Sequence, residues 1–217
     1  MTQSDYILRM IEQASRVMAQ IIWRKQQRDY LGAHNFIDEQ FKIMLGMGAG
    51  FIHSAPEETL LAMLTTAGEL DTEKCWLLAT LLKAEGDLYS EQEDEDSSYY
   101  SYLKSLDLFL EVLASSREIH HIDAIPEVEG LLYKLSDYEL PRHSKELLFR
   151  YFEQSYQFSK AEDTLYELLD ADPFDRETVE SGKAFYRRLL RLHDSVLALG
   201  NLSRNEVEDG LMKLMRT

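Results

Sequence analysis

An all-α fold of stacked antiparallel helix pairs, about ten helices in all, is what this 217-residue chain predicts. Three observations carry the expectation. Good helix formers (Leu, Met, Ala, Glu, Lys) dominate, while only 10 Gly and 4 Pro interrupt them. Apolar residues recur three and four apart along most of the chain, with no sustained apolar–polar alternation of the strand type. Capping residues and breakers punctuate the pattern at helix-length intervals.

The first helix starts near Ser4, which can cap it, and carries an apolar stripe through Ile7, Met10, Ile11, Ala14, Val17, Met18, Ile21 and Ile22. A second is predicted over 29–46, through Tyr30, Ala33, Phe36, Ile37 and Phe41, until Gly46, Gly48 and Gly50 break it. Pro56, Glu57 and Glu58 suit the first turn of a short helix, which Gly68 ends. Asp71 caps the next, running to about Ser90. A charged turn, EQEDED, separates it from a helix over 97–115. Residues 116–129 read as a longer connection and 126–137 as a short helix. Pro141 opens a helix carrying Leu147, Leu148, Tyr151 and Phe152. After a turn at 156–159 a second helix carries Ala161, Leu165, Leu168 and Leu169, stopped by Pro173. Asp175 is the cap of a long helix to about Leu199, ended by Gly200 and Asn201. Ser203 with Glu206 forms the capping box of the last.

The net charge of −16 is concentrated in residues 51–100, where twelve acids accompany two bases. Nucleic-acid binding needs Lys and Arg against phosphates, so DNA or RNA is not an expected partner. The lone Cys75 cannot close an internal disulfide, which fits a reducing compartment. In the apolar run CWLLATLL it reads as a buried thiol rather than a nucleophile. MTQSDYILRM has no signal-peptide pattern, and no run approaches eighteen apolar residues. The expected location is cytoplasmic.

Residues 142–175 form one helix–turn–helix unit with Leu148, Phe149 and Phe152 in its first helix, Phe158, Ala161, Leu165 and Leu168 in its second, and Pro173 at its end. The unit resembles a tetratricopeptide repeat, with Tyr156 where the turn glycine often stands and Leu168 at the small-residue position. Segment 79–112 matches in register at Leu82, Gly86, Tyr89, Ser98, Tyr102 and Ser105. Gly86 is the small residue that lets two helices approach closely, and Leu110 replaces the terminal proline. A third segment, 14–47, matches at Tyr30, Ala33 and Ile37, with Arg24 at a core position. DYILRMIEQ and LKAEGDLYSEQ also resemble an uncharacterised family of bacterial tetratricopeptide-like proteins. The resemblance implies one helical-repeat domain over 1–217, wound as a right-handed superhelix. It would comprise an N-terminal pair over 1–50, repeat-like units at 79–112 and 142–175, and capping helices over 176–217. An irregular helical bundle is the alternative.

In such arrays the first helix of each unit lines a groove that holds a peptide. The resemblance therefore implies partner-contacting positions at Lys83, Asp87 and Glu91 in one unit and at His143, Glu146, Arg150 and Glu153 in the other. A carboxylate clamp would place Asn four residues after a Lys or Arg. Asp87 follows Lys83 instead, which argues against one. The competing reading is i,i+4 ion pairing, Lys83–Asp87 and Glu146–Arg150, on a solvated face. Arg187, Arg188 and Arg191 are the densest basic cluster, on one helix face. They suit an acidic partner or phosphate, or pairing with the chain's own Glu180 or Asp194.

His120, His121 and Asp123 lack metal-ligand spacing, His34, His53 and His193 stand isolated in sequence, and EQEDED lacks the glycine and spaced ligands of a calcium loop. GMGAG has no preceding strand and no following Lys-Ser/Thr, and no Gly-x-Ser-x-Gly elbow occurs. No cofactor, metal or catalytic residue is expected. For the first helix, packing on the second ranks ahead of a homodimer through two heptads. An acidic membrane surface met by Trp23, Arg24, Lys25 and Arg28 ranks third. The expected function is a non-enzymatic protein- or peptide-binding scaffold, followed by a peptide-sensing regulator and then an enzyme.

Overall fold

The computed structural model describes residues 3–115, 124–173 and 175–216, with the side chains of 3–13 outside that description. Twelve α-helices occur among these residues: α1 (Gln3–Gln26), α2 (Tyr30–Gln40), α3 (Ala49–Ser54), α4 (Glu57–Met63), α5 (Thr72–Glu91), α6 (Glu95–Ser115), α7 (Ala124–Lys134), α8 (Arg142–Gln154), α9 (Phe158–Ala171), α10 (Arg176–Leu189), α11 (Asp194–Leu199) and α12 (Arg204–Met215). The all-α expectation holds. The chain divides into two compact units, one up to Glu139 and one from Leu140.

In the first unit α5 is the central helix. Leu77, Leu78, Leu81, Leu82 and Leu88 are buried on several sides of it, because α1, α2 and α6 all pack against it. Its pairing with α6 is antiparallel. Ser98, Ser105 and Leu108 of α6 meet Gly86, Ala79 and Cys75 of α5 in reverse order, through Ser98 Oγ to Gly86 O at 3.2 Å, Ser105 Oγ to Ala79 O at 2.7 Å and Cys75 Sγ to Leu108 O at 3.6 Å. These small residues bring the backbones close. A Cβ at Gly86 would stand 2.7 Å from the Tyr102 ring, as the small-residue reading of Gly86 requires.

In the second unit α8 and α9 form another antiparallel pair, Lys145 meeting Glu167 at 3.0 Å and Lys160 lying over the Phe152 ring. Further along, α12 closes on α10, where Tyr186 is fully buried against Gly210 and a Cβ there would stand 2.3 Å from its ring.

The turns after α1, α5 and α8 are alike. Each has three residues, and the middle one is left-handed: Arg28 (φ 57°), Glu93 (φ 59°) and Tyr156 (φ 60°). The third N–H of each turn reaches back to the carbonyl five residues earlier: Asp29 to Arg24 at 3.0 Å, Asp94 to Tyr89 at 3.0 Å and Gln157 to Phe152 at 2.8 Å. The middle N–H bonds three residues back, to Lys25, Ser90 and Glu153. This satisfies the terminal carbonyls of each helix as in a Schellman closure, with a bulky residue where glycine is usual.

Four local expectations are corrected, and one helix, α3, is found where none was expected. The second helix does not run smoothly to 46. It ends at Gln40 and continues as a π-helical turn, Phe41–Leu45, released by left-handed Gly46. The glycine-rich stretch is not wholly irregular, because Asp38 Oδ1 accepts the Ala49 N–H at 2.7 Å and starts the short α3. Residues beyond Met63 include a two-residue hairpin, Thr65–Thr66 against Glu69–Leu70, with Ala67 and Gly68 both at positive φ. The connection after α6 is shorter than 116–129, since α7 already begins at Ala124. The helix from Asp175 does not reach Leu199. Arg204 draws the carbonyls of Leu190 (3.2 Å) and Leu192 (2.7 Å) out of helical register, and His193 caps a separate α11.

Candidate functional site

Residues spaced three and four apart along α8 bury Leu147, Leu148, Tyr151 and Phe152, which leaves His143, Glu146, Arg150 and Glu153 along one remaining face. That face borders two clefts. The first, about 310 Å³, has His143, Glu146 and Arg150 on its rim, Phe149 and Leu165 at its floor and Thr178 of α10 opposite. The second, about 510 Å³, lies between Arg150 and Glu153 of α8 and Arg188 and Leu192 beyond. Arg150 borders both, so the clefts adjoin along two turns of α8 or more.

Ion pairs set this groove's width. Arg142 joins Glu146 at 2.7 Å, Thr178 Oγ1 at 2.9 Å and the Asp175 carboxylate, tying the start of α8 to the start of α10. The Thr178 hydroxyl and then Arg142 hold the Asp175 carboxyl well below the usual carboxylate range. At the far end the Arg188 guanidinium forks onto Glu153 at 2.6 and 2.7 Å. Of the basic cluster, only Arg188 joins this groove. Arg187 is exposed and acts on Glu180. Arg191 lies past Leu189, where α10 ends, so the three do not share a helix face. Asp194 pairs with Arg204 at 2.5 Å.

The corresponding positions of α5 are held by neighbouring helices. Lys83 meets Glu127 of α7 at 3.0 Å, not Asp87. Asp87 takes the Tyr102 hydroxyl at 2.7 Å and Lys134 of α7 at 2.9 Å. Glu91 takes Lys25 of α1 at 2.9 Å. Arg24, at a core position of the repeat pattern, is only half-buried and lays its guanidinium 4.4 Å from the centre of the half-buried Phe36 ring.

A second constellation escapes sequence reading. Glu85 is 3% exposed, on the face of α5 turned toward α2 and α3. His53, at the end of α3, donates Nε2–H to Glu85 Oε2 at 2.7 Å, and His34 of α2 sets Nδ1 3.8 Å from Glu85 Oε1. Gln92 Nε2 donates both to Leu88 O (3.0 Å) and to His34 Nε2 (2.9 Å). That fixes the amide orientation and leaves the His34 hydrogen on Nδ1, facing Glu85. Burial pushes the Glu85 carboxyl up, but the two imidazoles outweigh it and hold it below its ordinary value. The Glu85 hydrogen bond correspondingly raises His53, against its own burial. Lys104 spends its hydrogens on the carbonyls of Ile52 (2.9 Å), His53 (3.0 Å) and Ala55 (2.9 Å), closing the end of α3. Beside His53 opens a cleft of about 260 Å³, bordered by Glu57, Tyr89, Tyr100, Ser101 and Lys104. The available signal was weak: a Glu on an otherwise apolar face of α5, and two histidines far from it in sequence.

His120, His121 and Asp123 lie outside the described residues. Among the described residues no group of three His, Cys, Asp or Glu side chains is arranged to hold a metal ion, and no helix is long and apolar enough to cross a membrane. EQEDED forms the α5–α6 turn and the first residues of α6.

Over residues 1–217 the chain matches the family model described as Family of unknown function (DUF6483), and it belongs to that family. No curated protein and no solved structure matches it.

Proposed function

We propose that this member of the family is a peptide-binding module whose groove is the α8 face of the second unit. The observation that carries the reading is the run His143, Glu146, Arg150 and Glu153 along two adjoining clefts with Phe149 at the floor. From His143 to Glu153 the helix rises ~15 Å. That length suits four or five residues of an extended segment at ~3.3 Å each. The rim carries both signs of charge, so the fitting segment is mixed in charge, with an apolar side chain over Phe149.

The tetratricopeptide-like part of the reading draws support from the turns. Arg28, Glu93 and Tyr156 are each the fifteenth residue of segments 14–47, 79–112 and 142–175, and all three turns share their hydrogen bonds. A cytoplasmic location belongs to the same proposal, supported by the buried free thiol of Cys75.

Panning the full chain against displayed random peptides tests the function. Enriched sequences should combine both charges with one large apolar residue. Their affinity should fall ~10-fold or more in Arg150→Ala and in Phe149→Ala, the loss of one good contact. Failure to enrich, or enriched peptides indifferent to both substitutions, would refute it.

A further inference from the structure

The cleft beside His53 in the first unit is separate from the α8 groove and has its own chemistry. Its volume of about 260 Å³ corresponds to roughly nine waters at ~30 Å³ each. That is below the ~300–1,000 Å³ of sites for drug-sized ligands, so its occupant is small. Besides the hydroxyls of Ser97, Ser101, Tyr89 and Tyr100, two groups that can carry charge stand at its edge with no hydrogen-bond or ion-pair partner among the described residues. One is His53 Nδ1, since Nε2 is committed to Glu85. The other is the Glu57 carboxylate at the start of α4, which meets Lys104 only as a longer-range charge. Lys104 adds positive potential but no donor, because its hydrogens already go to three carbonyls. The hydroxyl-bearing rings of Tyr89 and Tyr100, with Leu82 and Leu103, supply apolar wall.

We infer that this cleft binds a small zwitterion of amino-acid size with an apolar side chain. Its carboxylate accepts from His53 Nδ1–H, its ammonium faces Glu57, and its side chain lies along the tyrosine and leucine wall. Glu85 serves as the positioning residue: by accepting from Nε2 it leaves the other ring nitrogen for the ligand and favours the charged form of the imidazole. A simple anion gains only the His53 contact and is opposed by Glu57. A simple cation gains only Glu57 and is opposed by His53 and Lys104. A ligand carrying both charges answers His53 and Glu57 at once.

Isothermal titration of the full chain with each proteinogenic amino acid tests the inference, with isobutyrate and isobutylamine as single-charge controls for valine. At least one apolar amino acid should bind, ~10-fold or more tightly than either control. Glu57→Gln, a change at an accessible helix start, should weaken the amino acid ~10-fold while leaving isobutyrate no weaker. His53→Asn should weaken both. Glu85→Gln should weaken the amino acid and shift the pH profile of binding, which a merely structural role would not move. Unchanged far-ultraviolet circular dichroism of Glu57→Gln establishes that the variant is folded. Absence of amino-acid binding, equal binding of either control, or indifference to Glu57→Gln would overturn it.

Discussion

Glu85 accepts a hydrogen bond from His53 at 2.7 Å although 32 residues separate them in sequence, and Glu85 is among the few charged side chains buried in the first unit. The pair joins α5, the central helix, to the end of α3.

That pair makes the stability of the first unit pH-dependent in both directions. Glu85 is held below its ordinary 4.5, so its contribution is present above that value and is lost as pH falls through the folded-state value. His53 is raised above its ordinary 6.5, so its contribution is full below 6.5 and is lost as pH rises through the folded-state value. The pair therefore stabilises most between 4.5 and 6.5. Lys104 opposes the charge on His53 and Asp38 supports it, without changing these signs. Urea titrations across pH should show the wild-type midpoint declining above 6.5. His53→Gln should flatten that decline, and an equal slope in both proteins would contradict the assignment.

Gly86→Ala should destabilise the α5–α6 pair. Its Cβ would meet Tyr102 at 2.7 Å. Overpacking of this kind costs ~1–3 kcal/mol, offset by about 1 kcal/mol of better helix propensity. A net loss of up to ~2 kcal/mol is expected by chemical denaturation. Combining it with Tyr102→Ala should cost less than the two single losses together, because the clash partner is gone.

Cys75 should be inert in the native protein. Burial, followed by the charges of Glu111 and Asp71, pushes its thiol far up. Its Sγ–H points to Leu108 O inside the helix pair. A thiol-reactive dye should leave the folded chain unlabelled and label it stoichiometrically in denaturant. Rapid native labelling would show that this seam opens readily.

Ser203→Ala should cost about 1 kcal/mol. Ser203 accepts the Glu206 N–H at 3.3 Å while Glu206 takes the Ser203 N–H at 2.7 Å, and both bonds start the helix that covers Tyr186. Thermal melting should register the loss, and Glu206→Gln, which can keep the reciprocal bond, should lose less.

Much of this architecture is legible locally. The caps Asp71, Asp175 and Ser203 are where the sequence places them, and so is the stop to the α8–α9 pair near Pro173. Each depends on residues within a turn of one another, which spacing alone reveals. The α8 face behaves the same way: once Leu147, Leu148, Tyr151 and Phe152 go inward, His143, Glu146, Arg150 and Glu153 must line the remaining face.

The break at 190–193 was not legible, because it depends on Arg204 reaching back to carbonyls that a local pattern assigns to a continuing helix. The start of α3 depends likewise on Asp38 finding Ala49. The α5 positions illustrate the difference within one helix. The tetratricopeptide resemblance implies Lys83, Asp87 and Glu91 as partner-contacting positions, but packing decided that α7 and α1 would bind them. Glu85, two residues from Lys83, became a buried acceptor because His34 and His53 arrive from separate helices.

By itself, then, the sequence determined the all-α class, the apolar faces of most helices and the caps at Asp71, Asp175 and Ser203, since these follow from periodicity and short-range hydrogen bonding. The tertiary structure decided which charges are neutralised and which remain to meet a ligand. Electrostatic partners are set by distance in space, and long-range packing of α2, α3 and α5 creates distances that chain order does not encode.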